Sequence, residues 1–356
     1  MPGWHAATKE ARANDELVII GVIQEQHADR CRLFAQWQQF DWPILQDQDN
    51  QLGLRAVPIS VAIDEDGVVV SKRLKVNQLK GFLTRPRGKE TPPENTKPEP
   101  TTTLSVEQHE DLLKTDPERA ELHFSYGVAL RRRFDSKDRQ PNDFQAAVDA
   151  WTKALELDPN QYIYRRRIQQ YGPRLIKPYP FYDWVDKART EILARGETPI
   201  ELSVEPSGAE IAKPSRKFNS ATAINPDPDT KITLDNTWIK SKSVVVPGKI
   251  KRGEALRVHV RLKPTDQAKW NNEAEPSLVW IDLPEGWQST QQLATFTPPQ
   301  TAESKEERRF EFELKSPRKA GQSQKISGYA LYYVCDSENG QCLFRRQNLE
   351  FTVQFK

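Results

Sequence analysis

The sequence predicts a multidomain protein with three modules in series: α/β, then all-α, then all-β. Three observations lead there. At 356 residues the chain exceeds the usual size of one hydrophobic core, and roughly 150 residues per domain gives two or three. Two Pro-rich, apolar-poor stretches, TRPRGKETPPENTKPEPTTT at residues 84–103 and EPSGAEIAKPSRKFNSATAINPDPDT at residues 205–230, cannot offset their ordering entropy by burial and read as extended linkers. The hydrophobic period changes across each of them. The expected boundaries are a module at residues 1–83, a linker at 84–103, a helical module at 104–200, a linker at 201–230 and a β module at 231–356.

Bulk composition narrows the function classes. The chain is 37% hydrophobic and 29% charged, with a net charge of +2 and a pI near 8.3, so no global basic field argues for nucleic acid. Two local runs, Arg131-Arg132-Arg133 and Arg165-Arg166-Arg167, read as solvated helix faces. No apolar run reaches the roughly 18 residues of a membrane helix, and MPGWHAATKEARANDE lacks the apolar core of a signal peptide. No membrane insertion is expected. Three cysteines and five scattered histidines give neither a disulfide-rich scaffold nor a metal-ligand spacing, so neither metal nor cofactor is expected.

In the first module, residues 2–13 read as a helix, LVIIGVI at 17–23 as a buried strand and residues 28–40 as a helix. Two strands, at 59–63 and 68–70, flank Asp64-Glu65-Asp66-Gly67, whose Asp-Gly pair suits a tight turn, and a helical stretch at 76–83 closes the module. Within it, DWPILQDQDNQLGLRAVPISVAIDEDGVVV orders a Trp-Pro pair, an Asp-containing loop, a Val-Pro pair and a strand ending in Asp-x-x-Gly. These residues resemble the thioredoxin-like family of alkyl hydroperoxide reductases and thiol-specific antioxidants. The resemblance implies that Val57-Pro58 is the cis pair that meets a substrate strand on its own side of the site, and that residues 17–23 and 59–63 share one sheet. The family's catalytic cysteine, held at a helix N-terminus where its thiol pKa is lowered, has no counterpart here. MPGWHAATKEA looks like the continuation of that helix, so the module reads as incomplete. Cys31, inside the helix after the first strand, is expected to be a packed or idle thiol.

The second module reads as helical throughout. In FQAAVDAWTKALELDP the spacing of Ala147, Trp151, Ala154 and Pro159 resembles the second helix of a tetratricopeptide repeat. Gly127 in LHFSYGVAL falls at the close-packing point of the preceding helix, while DSKDRQPN lengthens the turn between them beyond the family pattern. The resemblance implies a short helical module that binds a protein partner.

The third module shows period-two runs at residues 256–262, 277–283, 308–314, 326–334 and 349–355, the signature of an antiparallel β-sandwich. GYALYYVCDSENGQCLFRRQNLEFTVQF puts Cys335 and Cys342 at the mouth of a hairpin whose turn signal is Asn339-Gly340. If the two stand opposite each other, a disulfide is within reach. Trp280-Ile281-Asp282-Leu283-Pro284-Glu285-Gly286, then Tyr332-Tyr333-Val334-Cys335, Cys342 and the final strand resemble the amino-terminal, immunoglobulin-like domain of the thiol:disulfide interchange protein DsbD. That resemblance implies that Cys335 and Cys342 exchange electrons with a protein thiol or disulfide partner. The sequence departs from it after Cys342, where Leu343-Phe344-Arg345-Arg346 replaces the usual prolines.

Together these readings lead to a thiol-disulfide exchange protein of redoxin type, an oxidoreductase with Cys335 and Cys342 as its redox pair. Two alternatives stay open: a non-catalytic interaction scaffold with a degenerate thioredoxin fold, and peroxide reduction confined to a longer native chain. The DsbD resemblance implies the periplasm or cell envelope if an export signal lies upstream of Met1; otherwise the cytoplasm is implied.

Overall fold

The computed structural model describes residues 2–86, 103–171, 182, 184–206, 224–338 and 340–356. Most of both expected linkers, at 87–102 and 207–223, and Asn339 of the expected turn lie outside the described residues. Mixed helical and sheet structure results, divided into two compact units.

In the first unit, α1 (Pro2–Ala13), β1 (Gly21–Ile23), α2 (Ala28–Trp37), β2 (Ile44–Gln46), β3 (Ala62–Ile63), β4 (Val69–Ser71) and α3 (Leu79–Leu83) keep the expected order with β2 added, but the strand expected buried at 17–23 shrinks to β1, and Val18, Ile20 and Val22 are exposed. Their pairing is narrower than expected. β1 runs parallel to β2 and β3 antiparallel to β4, as two separate two-stranded sheets. Residues 17–23 and 59–63 therefore do not share a sheet among the described residues. The strands are two or three residues long, too short to carry a ladder from one pair to the next. The Val57-Pro58 bond is cis, with Pro58 exposed.

The same unit contains the helices α4 (Val106–Thr115), α5 (Ala120–Phe134), α6 (Asp143–Leu157), α7 (Tyr162–Tyr171) after its first residue, and α8 (Trp184–Ala194). α4 opens on a capping box: the Gln108 N–H donates to Ser105 Oγ at 3.2 Å and the Ser105 N–H to Gln108 Oε1 at 2.7 Å, so two donors that helix geometry leaves unpaired are satisfied. Where α5 meets α6, Ala147, Trp151 and Ala154 are all fully buried. The Trp151 indole N–H donates to the Phe124 carbonyl at 3.2 Å. Gly127 makes this approach possible, since a Cβ there would lie 2.4 Å from Trp151 Nε1 and 2.9 Å from the Ala147 carbonyl oxygen. Past α8, Ile200 and Leu202 pack with Leu33, Val185 and Ile192, so the chain stays bound to helices at the start of the expected second linker.

The second unit is built mainly from antiparallel strands. One four-stranded sheet has the order β10 (Gln288–Ser289), β13 (Arg308–Lys315), β7 (Ala255–Pro264), β5 (Ile239–Val246). β13 alternates strictly: Arg308, Phe310, Phe312 and Leu314 are buried, and Arg309, Glu311, Glu313 and Lys315 face out. β7 matches it with Leu256, Val258, Val260 and Leu262 inside. The second sheet has the order β11 (Leu293–Thr295), β9 (Leu278–Asp282), β14 (Ser323–Asp336), β15 (Cys342–Phe355), β6 (Lys249–Ile250), with β8 (Ala268–Asn271) pairing both β14 and β12 (Glu303–Ser304). In it β6 joins β15 in parallel. The sheets touch through Phe296 and Phe310, 6.3 Å between centroids, and through the Gln347 side-chain N–H, which donates to Ser241 Oγ at 3.0 Å. β14 is buried on both faces from Gly328 to Cys335. Its second face is covered by Ile232, Trp280 and Leu293, and Arg346 on β15 pins the segment before β5 by binding Asp227 Oδ2 at 2.6 Å.

Replacing Gly127 by Ala tests the α5–α6 contact. In an ordinary helix interior this change gains up to about 1 kcal/mol. Here the added methyl meets the indole and should instead cost about 1–3 kcal/mol by overpacking, read as a lower denaturation midpoint. A neutral or stabilising result would show that α5 and α6 do not pack at Gly127.

Candidate functional site

Two constellations stand out, one in each unit. In the second, β14 and β15 pair residue by residue from Ser323 opposite Gln354 to Cys335 opposite Cys342. The Asp336 N–H donates to the Gln341 carbonyl at 2.8 Å and the Gly340 N–H to the Asp336 carbonyl at 2.8 Å, and Gly340 takes the positive φ of +65° that closes the loop without a Cβ penalty. The cysteine pair is the first beyond that bonded pair. It is a non-hydrogen-bonded position, where strands come closest, and the Cα atoms lie 4.0 Å apart with the sulfurs joined in a disulfide.

The two sulfurs differ in access. Cys335 is 3% exposed, whereas Cys342 is half-buried and its Sγ lies 3.9 Å from the Gly340 carbonyl oxygen at the exposed loop. On the same face, one cross-strand pair further in, Tyr333 and Phe344 stack with centroids 4.4 Å apart. They flank the disulfide on the strand side. Tyr332 points to the other face, where its hydroxyl donates to the Asp235 carbonyl at 2.9 Å and burial pushes its pKa up.

The first unit holds a buried ionic cluster that the sequence reading missed. His27, at the start of α2, lies with Nε2 2.8 Å from Asp135 Oδ2 and Nδ1 3.7 Å from Glu25. Arg131, fully buried, donates from Nε to the same Asp135 oxygen at 2.9 Å. Tyr182 donates to both Glu25 carboxylate oxygens at 3.1 Å. Arg167, also buried, binds the Gln26 side chain at 2.5 Å and the Gln48 carbonyl at 3.2 Å. Arg30 stacks over the Tyr182 ring at 4.4 Å.

The expectation that the two arginine runs are solvated faces is therefore wrong for Arg131, Arg165 and Arg167, which are all buried. The signal was present: Phe124, Val128 and Arg131, like Tyr164, Arg167 and Tyr171, fall on single helical stripes at spacings of three and four.

Electrostatics in the cluster are mutual. Burial opposes the Glu25 carboxylate, yet His27, Arg30 and Arg167 hold it below its usual range. Burial likewise opposes the charged form of His27, yet Asp135 and Glu25 raise its pKa, and His27 and Arg131 lower that of Asp135. Cys31 lies at the margin of this cluster, its thiol pushed up to about 12 by burial and by Glu25. Such a thiol is almost wholly protonated near neutral pH, and nucleophilicity belongs to the thiolate. Among the described residues no group of three or more His, Cys, Asp or Glu could hold a metal ion, and no helix is long and apolar enough to cross a membrane.

No family model matches the chain, and no curated protein matches it. Solved structures similar to parts of it include a cohesin module from a Clostridium perfringens family 33 glycoside hydrolase, at 10% identity over 34% of this chain and 100% of that one, with a TM-score of 0.22. A FixG-related protein from Vibrio parahaemolyticus gives 9% identity over 33% of this chain and 96% of that one, TM-score 0.18. The alkylpurine DNA glycosylase AlkC of Pseudomonas fluorescens gives 12% over 78% and 59%, TM-score 0.22. Likenesses this weak carry no argument about fold or function.

Two outcomes follow from the ionic cluster. A raised His27 pKa contributes stability that is complete below the unfolded value of about 6.5 and is lost as pH rises through the folded value. The unfolding midpoint of the first unit should thus fall between about pH 6 and about pH 9, and fall less in His27→Gln; equal falls would remove His27 from the cluster's energetics. Alkylation of Cys31 by iodoacetamide at about pH 8 should run on the order of a thousandfold slower in the native protein than in the denatured one. Equal rates would mean that Cys31 is an accessible thiolate.

Proposed function

We propose that the chain is a thiol-disulfide exchange protein whose redox pair is Cys335 and Cys342. The observation that carries this is the asymmetry of the disulfide: one sulfur lies buried in β14 and the other sits half-exposed at the start of β15. A partner thiolate attacks Cys342 Sγ. The Cys335–Cys342 bond breaks, its electron pair stays on Cys335, and the partner is held through a mixed disulfide to Cys342. A second partner thiolate then attacks the partner's own sulfur and expels Cys342. The partner leaves oxidised and the chain keeps two thiols, or the same steps run in reverse, as the partner's potential dictates.

In this reading the second unit is a β-sandwich of the DsbD amino-terminal kind, supported by the alternating buried face of β7 and β13 and by the contacts between the two sheets. The α5–α6 pair acts as a tetratricopeptide-type surface for a protein partner, supported by the Gly127, Ala147, Trp151 and Ala154 contacts. The first module is of redoxin type, supported by the cis Val57-Pro58 bond, and its Cys31, held protonated by burial and Glu25, does not serve as nucleophile.

The test is trapping. Cys335→Ser leaves Cys342 as a free thiol near the loop, and Cys342→Ser leaves Cys335 buried. With oxidised glutathione as probe, the first variant should form its mixed disulfide at least about tenfold faster than the second, as followed by intact mass. No adduct on Cys342 would overturn the exchange reading and leave the disulfide a structural bond in a binding scaffold.

A further inference from the structure

The row of side chains that holds the disulfide has a third member. β14 pairs with β15 along one edge and with β8 along the other, so Cys335 stands opposite Cys342 on one side and opposite Lys269 on the other. Directly opposed residues share a face of the sheet, with Cβ atoms about 4.5–5.5 Å apart. Lys269 Nζ binds Glu303 Oε2 at 2.9 Å, and the two side chains are 41% and 40% exposed. Glu303, on β12, stands opposite Asn271 of β8, on the far side of Lys269 from the sulfurs. Across the sheet the face therefore reads Cys342, Cys335, Lys269, with Glu303 beyond.

This order matters when the bond opens. The electron pair stays on Cys335, whose burial disfavours a bare thiolate. Of the other titratable groups around it, Asp336 is the next residue along β14 and so turns to the opposite face, Glu338 belongs to the hairpin loop, and Tyr333 stacks on Phe344. Arg345 stands opposite Tyr332, again on the other face. Among the described residues flanking Cys335 in the sheet, Lys269 brings the positive charge to its face.

We propose that Lys269 is the electrostatic partner of the leaving sulfur: its ammonium turns from Glu303 towards Cys335 Sγ as the disulfide opens and holds the thiolate formed there. This rests on the exchange reading. Glu303 competes for the same ammonium and restrains the step, so the Lys269–Glu303 pair regulates how readily the disulfide opens. A lysine suits this role because a flexible stem carries its charge from one partner to the other.

The test uses the full chain with Cys31→Ser and Cys342→Ser, so that Cys335 is the one thiol, and follows its thiolate absorbance against pH. Lys269→Met should move the titration of Cys335 upward by about one unit or more, Lys269→Arg should restore most of the shift, and Glu303→Gln should move it downward. With both redox cysteines present, reduction of the disulfide by dithiothreitol should slow on the order of tenfold in Lys269→Met, the rate equivalent of one unit. An unchanged Cys335 titration in Lys269→Met, or an effect that Lys269→Arg fails to reverse, overturns the proposal even where exchange is observed. A shifted titration with no glutathione adduct on Cys342 would instead sink the exchange reading while leaving the Lys269–Cys335 interaction in place.

Discussion

The pairing of β14 with β15 in a single register is the constraint on which the candidate site depends. A slip of one residue would move every side chain of one strand to the opposite face, and this register is pinned from several directions. Tyr333 stacks on Phe344, Tyr329 lies 3.9 Å beneath the Arg346 guanidinium, and Gly340 turns the chain at the tip with a positive φ. Each of these contacts also fixes Cys335 opposite Cys342. The disulfide thus ends a ladder already aligned by aromatic and ionic contacts, and its opening need not release the strands that carry it.

The first unit is organised by buried charge. Arg30, Arg131 and Arg167 are each no more than 2% exposed, and their partners include the residues after β1, Asp135 after α5, Gln48, the Val204 carbonyl and the rings of Phe124, Phe144, Trp151, Tyr171 and Tyr182. Removing one partner of such a set leaves an uncompensated charge and costs about 3–5 kcal/mol. The short strands of this unit contribute little ladder, so the cluster and the α5–α6 contact hold it together. The same environment that ties α2 to α5 and α7 also holds the Cys31 thiol protonated, and the proposed exchange chemistry falls to the second unit.

Much of this was legible in the sequence where a local pattern dominates. Helix α1 begins and ends where the polar-apolar spacing places it, and β7, β13 and the outer half of β15 follow their period-two runs because each has one wet and one dry face. Gly127 and the two alanines of α6 were readable because close helix approach leaves few residue choices. β5 was missed, since IKSKSVVV lies at a sheet edge with only Ile239 buried and carries no clean alternation. The pairing of β1 with β2 alone was missed because register between short strands is a tertiary outcome. Lys269 was invisible for the same reason: β8 is four residues long, and only its place beside β14 sets it opposite Cys335.

The central claim is that the Cys335–Cys342 bond is made to be opened. Equilibration of the full chain against glutathione buffers, with the two thiols counted by mass, measures its reduction potential. An exchanging pair should titrate reversibly above roughly −300 mV, in the range of disulfides that cellular thiols can reduce. A potential well below that, or no reduction until the protein unfolds, would contradict exchange and make the bond a structural staple.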